Sequence, residues 1–304
     1  MTSLDLPTVS IVIPTYRRPE RLARCLDALL ELDYPRDRLE VVVMEDGGPT
    51  DQLAELRARD FGDLVVRILG QPHSGPAGAR NRGAREATGE LLAFTDDDCC
   101  PRADWVSKLV AAHGGASRVA VGGHSENALV GNAYSEASQA LVTYITQYGD
   151  RIDEQFFASN NFLVSRSVFM DLGGFDESFP LAGGEDRELC DRMNDLDYEL
   201  RYEPSAVIDH YHALTRQSFW DQHFRYGRGA YQYHVTRSVR EGNSLSKEYG
   251  GMVRMMARFY AGMVRSPFVN GDRRPLRTAW LLLWSQVPNT LGFFAERRSA
   301  GDRD

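Results

Sequence analysis

The sequence has few cysteines, and their positions exclude two ways of stabilising a small fold. The four cysteines among 304 residues are Cys25, Cys99, Cys100 and Cys190, and no CxxC spacing occurs. This pattern predicts neither a disulfide framework nor a zinc site, and it fits a reducing compartment. The first residues also lack the basic and then apolar pattern of a signal peptide. We therefore expect a cytoplasmic protein.

Long apolar runs and an excess of positive charge are also missing. No stretch reaches about 18 consecutive apolar residues, so we expect no conventional transmembrane helix. The net charge of −8 argues against the backbone of a nucleic acid as the main partner. Nucleotides remain, because a metal ion can bridge their phosphates to carboxylates. The length permits one large domain or two small ones, and no repeats or low-complexity linkers divide it.

A short apolar run that ends in three carboxylates is the most informative stretch. Leu91–Phe94 is followed by Thr95 and then by Asp96, Asp97 and Asp98. The run predicts a buried strand with negative charge concentrated at its carboxyl end. Adjacent like charges repel one another, so a partly buried cluster needs a positive partner. A divalent cation with phosphate oxygens in its shell is one such partner. The alternative is a solvated acidic turn before the next helix.

The segments before the acidic strand alternate between the strand and helix patterns. Strands are predicted at 9–14, 39–44 and 64–69, and helices at 19–32, 51–59 and 77–87. Such alternation predicts right-handed β-α-β units and a parallel sheet, which binds ligands at the carboxyl ends of its strands. Three polar clusters lie at those ends, at 14–16, 45–46 and 96–98.

The loop at 74–83 is rich in small residues and arginine. It lacks the Gly-Lys-Ser/Thr ending of a phosphate loop, and it does not have the GxGxxG spacing after a strand. Its small residues would let the backbone approach a ligand closely. Arg80 and Arg82 would meet nucleotide charge or pair with the acidic cluster; the alternative is that they are surface arginines on a helix.

Taken in order, these segments resemble the nucleotide-sugar-binding half of a family 2 glycosyltransferase of the GT-A fold. The segments that carry the resemblance are 9–16, the strand ending at 45–47, 78–83 and 94–98. The DXD motif of the family matches Asp96 and Asp98. The resemblance implies that Asp98 ligates Mg²⁺ or Mn²⁺ and that Asp96 serves the ribose or the water shell of the metal.

The same resemblance implies further contacts to the nucleotide sugar. Asp46 would accept a hydrogen bond from the base, whereas Glu45 stands where the family usually has aspartate. The remaining residues expected at the nucleotide sugar are Pro14, Thr15, Tyr16, Arg18, Gly78, Arg80 and Asp97.

Two motifs in the second half extend the resemblance. Residues 172–177 resemble the GGFDE motif of the family, and 183–189 resemble its GED motif. Glu185 and Asp186 would lie in the first turn of a helix, and the family assigns deprotonation of the acceptor to the second acid, Asp186. Glu185 is the competing candidate. The alternative is that both only favour the helix macrodipole.

A pair of histidines follows a strand predicted at 198–208. His210 and His212 alternate, so an extended chain puts both on one face. The family often has a metal-contacting histidine after this strand; His210 fits best and His212 is the alternative.

The remaining segments carry weaker patterns. We expect an acceptor-side insertion or helix at 127–149 and a strand at 158–164. Aromatics and arginines at 216–236 suggest core packing, or a lid and acceptor platform. Helices are expected at 249–268 and 276–295. The first carries an apolar stripe at Met252, Met255, Met256, Phe259 and Met263, and arginines flank both. These helices would pack on the catalytic domain or between subunits of a homodimer, or lie on a membrane surface.

We therefore predict an α/β protein with a GT-A nucleotide-binding fold. A mostly parallel central sheet flanked by helices would form a catalytic domain at 1–215, with a nucleotide-sugar-binding half at 1–100 and an acceptor half at 101–215. A helical region would follow at 216–298, and 299–304 would be disordered.

The predicted function is metal-dependent, inverting and non-processive glycosyl transfer. A UDP- or GDP-type sugar would be the donor, and the acceptor hydroxyl would belong to a polysaccharide, a lipid-linked molecule or a small molecule. The protein would be cytoplasmic or peripheral at the inner face of the membrane. A sugar-phosphate nucleotidyltransferase is one alternative. That enzyme requires a glycine-rich basic loop after the first strand, whereas residues 14–18 here are Pro-Thr-Tyr-Arg-Arg. A non-catalytic nucleotide-sugar-binding protein is the other; Asp96, Asp98, Asp186 and the following histidine argue against it.

Overall fold

The structure, a computed structural model, describes residues 6–49, 51–150, 155–179, 183–242 and 252–301. These residues divide into two compact units. The first comprises the described residues within Met1–Ala128, Phe157–Pro180 and Leu189–Tyr211. The second comprises those within Leu129–Phe156, Leu181–Glu188 and His212–Asp304. The domain boundary expected at residue 215 stays a prediction.

All eight strands of the described residues belong to the first unit. Their bounds are β1 Val9–Thr15, β2 Leu39–Asp46, β3 Val65–Gln71, β4 Leu91–Phe94, β5 Cys99–Pro101, β6 Val119–Asn127, β7 Phe162–Ser165 and β8 Glu199–His210. They form one sheet in the order β3-β2-β1-β4-β7-β6-β8-β5. The pairs β1–β2, β2–β3, β1–β4 and β6–β8 are parallel, and β4–β7, β6–β7 and β5–β8 are antiparallel. The predicted α/β class with a mostly parallel sheet is confirmed.

Ten α-helices lie within the described residues. Their bounds are α1 Pro19–Leu30, α2 Ala54–Ala58, α3 Gly75–Glu86, α4 Trp105–His113, α5 Ala133–Asp150, α6 Arg166–Asp171, α7 Glu185–Asp195, α8 Arg216–Arg240, α9 Met252–Val269 and α10 Pro275–Gly301. None of them meets the length and hydropathy that a bilayer-crossing helix requires.

The centre of the sheet is buried on both faces, as the near-continuous apolar strands require. Every residue of β1 but Pro14 is buried, every residue of β2 but Glu40 is buried, and all four residues of β4 are buried. The amphipathic helix α1 buries Leu22, Cys25, Leu26 and Leu29 in the main core of the first unit. The loops that carry the polar clusters therefore begin at the ends of well-packed strands.

The strand register brings the three polar clusters to one edge. Thr15 pairs with Glu45 across β1 and β2, while Val12 of β1 pairs with Phe94 at the end of β4. The chain leaving β4 therefore passes beside the end of β1, and the acidic triplet follows there. This is the carboxyl edge of the parallel strands, where ligands bind in open α/β sheets.

Two strands differ from the expectation. Ala158 is extended, but a 3₁₀ turn covers Ser159–Asn161 and β7 begins only at Phe162. The turn directs the Asn161 side chain inwards, where it accepts from Trp105 Nε1 at 2.8 Å and donates to the Ala206 carbonyl at 3.1 Å. Conversely, β6 was missed, because its adjacent Gly122 and Gly123 and the polar residues after them obscure the strand pattern.

The second unit is built from helices. Its helices α8 and α10 cross at glycines: a Cβ at Gly227 would clash with the Asn289 carbonyl, and one at Gly292 would clash with the Phe224 carbonyl. The helix α10 continues through Pro288 and ends at Gly301, beyond the expected end at 295 and into the tail expected to be disordered. Residues 302–304 and the side chains of Met252, Met255 and Met256 lie outside the described residues.

Candidate active site

Each carboxylate of the triplet has an arginine within ion-pair distance, and Arg18 reaches both Asp97 and, at 4.0 Å, Asp98. Asp96 accepts from Arg80 of α3 at 2.7 Å, whereas Asp97 accepts from Arg18 at 3.3 Å. Asp98 pairs with Arg21, in the first turn of α1, at 3.0 Å. The positive charge that three adjacent carboxylates require is therefore supplied, in this structure, by three arginines that surround the cluster.

Asp97 is tied to the end of β1. Thr15 Oγ1 donates to Asp97 Oδ2 at 2.7 Å, and the carboxylate is almost fully buried. Burial raises the pKa of Asp97 to about 6; the Arg18 guanidinium opposes this, and the neighbouring Asp98 and Asp96 carboxylates reinforce it. Asp97 thus holds the triplet to the sheet.

Asp98 lies beside His210, and a strand pairing is the reason. β5 pairs antiparallel with β8 so that Cys99 is opposite His210, and the Tyr211 amide donates to the Asp98 carbonyl at 2.8 Å. This register leaves His210 Nε2 3.4 Å from Asp98 Oδ1. The second histidine, His212, falls in the second unit, where its carbonyl accepts from Ser135 Oγ at 2.5 Å.

The donor set at this point fits a hard or borderline divalent cation. Ligand atoms of Asp98, Cys99 and His210 all lie within 4.8 Å of one another. The carboxylate is the ligand type that suits Mn²⁺ or Mg²⁺, the imidazole is a borderline ligand, and the thiol is the softest of the three and suits these ions least. Burial raises the pKa of the Cys99 thiol well above its usual range, and Asp98 and Asp96 raise it further, which favours the neutral thiol. Asp98 and His210 are thus the residues that could hold the metal.

Glu45 and Asp46, the two acids expected near the nucleotide base, differ in how many hydrogen bonds they accept. Asp46 accepts from the backbone amides of Ser74 at 2.8 Å and Gly75 at 2.9 Å, and from Gln71 Nε2 at 2.9 Å. It therefore stabilises the N-terminus of α3, where negative charge is favoured. Its predicted contact to a base would have to compete with these bonds.

Glu45 is buried next to Asp46, and one of its carboxylate oxygens accepts no hydrogen bond from the described residues. Glu45 Oε2 pairs with Arg57 of α2 at 2.7 Å, whereas Oε1 is buried and has no hydrogen-bond partner among the described residues. A buried carboxylate oxygen without a donor is costly, so a ligand N–H at this position would relieve the cost. Glu45 thus offers the acceptor atom that Asp46 lacks.

The other predicted nucleotide-sugar residues line the same loops of the first unit. Pro14 is partly buried at the end of β1, and the exposed Tyr16 ring lies 4.8 Å from the ring of His73. Gly78 is buried in the first turn of α3, where a Cβ would clash with Ser74. Arg82, by contrast, forms an exposed pair with Glu86, 2.7 Å away and one turn on, as the surface interpretation implied.

The structure adds residues that the sequence patterns did not single out. Arg21 and Arg57 are the partners of Asp98 and Glu45, and Cys99 joins the donor set. Asn81 donates to the Phe175 carbonyl at 2.8 Å and so fixes the 172–177 motif against α3. A signal existed for Arg21, because a basic residue in the first turn of a helix opposes the macrodipole unless an anion is near.

In the second unit, a double-glycine turn sets the two acids of the 183–186 motif. Gly183 and Gly184 have φ of +129° and +111°, which side-chain-bearing residues rarely adopt. The Gly183 amide donates to Glu185 Oε2 at 2.8 Å, and Glu185 is 2% exposed. Asp186 is half-buried in the first turn of α7, and its Oδ1 accepts from the Arg187 amide at 2.9 Å. Glu185 therefore stabilises the turn, and Asp186 is the more accessible acid.

The helix α8 supports this turn from within the same unit. A Cβ at Gly229 would clash with the Gly183 carbonyl, and one at Gly183 would lie 2.8 Å from the Tyr226 ring. Gln222 donates to Tyr226 Oη at 2.8 Å and to Ser138 Oγ at 2.9 Å. Burial raises the pKa of Tyr226, and the nearby Asp186 carboxylate raises it further, so the phenol stays neutral.

The fold is similar to that of solved glycosyltransferases. The chain aligns with a mannosyltransferase from Pyrobaculum calidifontis, solved in complex with GDP-Man and Mn²⁺, with a TM-score of 0.63 and 18% identity. The alignment covers 94% of this chain and 88% of that one. Known GT-A glycosyltransferases are therefore its structural neighbours, and the predicted GT-A fold is confirmed.

Curated relatives have the same type of name. The glycosyltransferase AglE of Haloferax volcanii is 29% identical over 239 residues, which is 76% of this chain and 75% of that protein. The pre-mycofactocin glycosyltransferase of Mycobacterium tuberculosis is 29% identical over 232 residues, which is 73% of this chain and 46% of that protein. The chain thus spans three quarters of one relative and about half of the other.

The model of one family, described as Glycosyl transferase family 2, matches residues 10–173. The match contains Asp46, Arg80 and the whole acidic triplet, and it covers more than half of the chain. The predicted enzyme class is confirmed, and the chain belongs to glycosyl transferase family 2.

Proposed function

We propose that this protein transfers a sugar from a nucleoside-diphosphate sugar to an acceptor hydroxyl, with inversion at the anomeric carbon and with Mn²⁺ or Mg²⁺. The observation that carries the proposal is the pairing of Asp98 with His210 at 3.4 Å, beside the carboxyl edge of the sheet. The Pyrobaculum mannosyltransferase was solved with GDP-Man and Mn²⁺, which supports this donor class and this ion.

In this proposal, Asp98 and His210 hold the metal, with Asp96 and Asp98 as the DXD pair. The metal would screen the charge of the diphosphate leaving group. Arg18, Arg21 and Arg80 already balance the carboxylates, so they are also placed to meet phosphate oxygens as the pairs exchange partners. Asp97 keeps the triplet fixed while this exchange occurs.

Glu45 is the residue that we assign to the base of the nucleotide. Its buried Oε1 lacks a donor, whereas the Asp46 carboxylate accepts from two amides and from the Gln71 and Ser74 side chains, and His73 Nδ1 lies 2.8 Å from it. Both uracil and guanine carry ring N–H donors, so the proposal covers UDP- and GDP-type sugars. Pro14, Thr15, Tyr16 and Gly78 would line the rest of the nucleotide site.

Asp186 is the proposed general base. Its half-buried carboxylate lies at the N-terminus of α7, where the helix macrodipole favours negative charge. It would take the proton of the acceptor hydroxyl as that oxygen attacks the anomeric carbon. Glu185 would fix the geometry of the turn, since its carboxylate is bonded to the Gly183 amide.

A panel of UDP- and GDP-sugars tests the proposal directly. Titration calorimetry with Mn²⁺, Mg²⁺ or a chelator should give binding only with the metal, because Arg18, Arg21 and Arg80 can exchange carboxylates for phosphates only where a cation takes their place beside the triplet. Release of nucleoside diphosphate, with NMR of the anomeric configuration of the product, then tests transfer and inversion. Equal affinity in the chelator would remove the metal from the proposal, and formation of pyrophosphate would favour a nucleotidyltransferase.

The cysteines bear on the location of the protein. The four cysteines are free thiols, and three of them are buried. Nucleotide sugars and reduced thiols are both found in the cytoplasm, which is the location that we propose. The acceptor class is left to the transfer assay.

A further inference from the structure

Helix α10 is apolar on two opposite sides, and the described residues cover only one of them. Leu281 and Leu282 are buried against other helices of the second unit. The opposite side exposes six large apolar residues: Leu276, Trp280, Leu283, Val287, Leu291 and Phe294. Each of these is between 49% and 77% exposed. Their spacing confines them to a stripe about 80° wide along five turns, which we call the α10 apolar face.

The exposed charged side chains at the two ends of α10 have one sign. Arg273 and Arg274 are exposed just before the start of α10, and Arg297 and Arg298 are exposed just after Phe294, the last residue of the face. The only acidic residues at 252–301 are Asp272 and Glu296, and neither is exposed. Asp272 accepts from Thr278 Oγ1 at 2.7 Å, and Glu296 pairs with Arg228 at 2.6 Å. A locally basic surface thus lies on a chain whose net charge is −8.

The charge pattern distinguishes between the occupants of the face. In a two-fold dimer through this face, parallel helices would place each arginine pair against its own copy. Antiparallel helices would place Arg273 and Arg274 against Arg297 and Arg298. Both arrangements oppose like charges, which costs binding energy. A surface with negative charge along its whole length matches both ends at once.

We propose that the α10 apolar face docks on the surface of an anionic lipid bilayer, with the helix axis parallel to the membrane plane. The six apolar side chains enter the headgroup region, and the four arginines contact anionic headgroups. Trp280 and Phe294 have the amphipathic or aromatic character of residues found at such interfaces. This surface gives the enzyme access to acceptors that a membrane presents.

Vesicle flotation of the full chain tests the docking. The purified protein should float with vesicles that contain phosphatidylglycerol, and much less with vesicles of phosphatidylcholine alone. Raising the salt from 0.1 to about 0.5 M should weaken binding, because screening shortens the reach of the arginines. Trp280 should give a blue-shifted fluorescence on binding, and Trp280→Leu should remove that shift while flotation persists.

Two exposed valines on helices of this unit provide a matched pair of variants. Val287→Glu, in the α10 apolar face, should weaken vesicle binding about 10-fold or more, since it removes apolar contact and adds a negative charge. Val239→Glu makes the same substitution at a 76% exposed site on α8 and should leave binding unchanged. Both positions are solvent-exposed, and circular dichroism of each variant checks that the fold is kept.

Three results would overturn the proposal. One is the absence of flotation with anionic vesicles at low salt. Another is equal loss of binding in both valine variants, which would assign binding to general charge rather than to this face. Sedimentation of the free protein adds a third: a dimer that Val287→Glu dissociates, without any vesicle binding, would make the face an interface between copies.

Discussion

The two units hold their acidic groups in different ways. In the first unit, the triplet Asp96–Asp98 is fixed by ion pairs and by strands that are buried on both faces. In the second, Glu185 and Asp186 are fixed by a backbone turn that only glycine adopts easily, supported by the glycine-bearing face of α8. The first arrangement depends on charge balance, and the second depends on close backbone packing. Substitutions should therefore fail for different reasons in the two units.

The largest effect is expected at the proposed base. Asp186→Asn should lower turnover by roughly 10² to 10⁴, the range for losing a general base, with little change in donor affinity. Glu185→Gln should lower turnover less, because the amide oxygen can still accept from the Gly183 amide. Single-turnover transfer and calorimetry separate the two effects. Normal turnover of Asp186→Asn together with loss in Glu185→Gln would reverse the assignment.

In the first unit, Asp98→Asn should weaken metal-dependent donor binding by at least about 100-fold, because a charged ligand beside His210 is lost. Asp97→Asn should weaken it less and should mainly destabilise the fold, since Asp97 bonds to Thr15 and Arg18. Calorimetry with Mn²⁺ gives the affinities, and the exposed Asp63→Asn serves as control. A larger loss of affinity in Asp97→Asn would contradict the assignment of Asp98 as ligand.

A buried histidine allows a test of the second unit by pH. The ring of His223 lies 4.3 Å from Phe219, and burial lowers its pKa to about 4, with a smaller effect from His212. The unfolded chain therefore binds a proton below pH ~6.5 that the folded chain rejects until pH ~4. Stability from the neutral ring is complete above pH ~6.5 and is lost as the pH falls through this window.

His223→Phe removes this titration, so its stability relative to the wild type should rise by about 3 kcal/mol between pH 7 and pH 4. Urea unfolding at several pH values measures the difference. Phe219→Leu, beside the same ring, should cost the same amount at both pH values and so controls for packing. If the difference in unfolding free energy between the wild type and His223→Phe stays constant with pH, the histidine has the same pKa in the folded and unfolded chains.

The smallest effect concerns the packing beneath the double-glycine turn. Gly229→Ala places a methyl group against the Gly183 carbonyl, and we expect it to cost about 1–3 kcal/mol and to lower kcat more than donor affinity. Gly70→Ala is the control, because a Cβ there meets nothing within 4 Å. Thermal unfolding and steady-state kinetics measure both. If Gly229→Ala matched the control, α8 would have no part in fixing the turn.

The local sequence pattern was sufficient to predict the strands and helices whose apolar residues recur regularly. The apolar runs of β1, β2 and β4 and the leucine spacing of α1 predicted those elements, because burial on both faces or on one face leaves a clear periodicity. The same runs located the polar residues at the strand ends. The strand β6 and the 3₁₀ turn at Ser159–Asn161 were not recoverable, since long-range contacts such as that of Asn161 with Trp105 decide them.

The sequence by itself determined the class of the sheet, the edge that carries the acids and the family motifs, because residue order and strand direction fix them. Only the tertiary structure decided the partner of each acid. The β5–β8 pairing put His210 beside Asp98, and the start of α3 took up the Asp46 carboxylate while leaving Glu45 Oε1 without a donor. These contacts join residues up to about a hundred positions apart. A local sequence pattern cannot predict such contacts, since they depend on strand order, register and the crossing of helices.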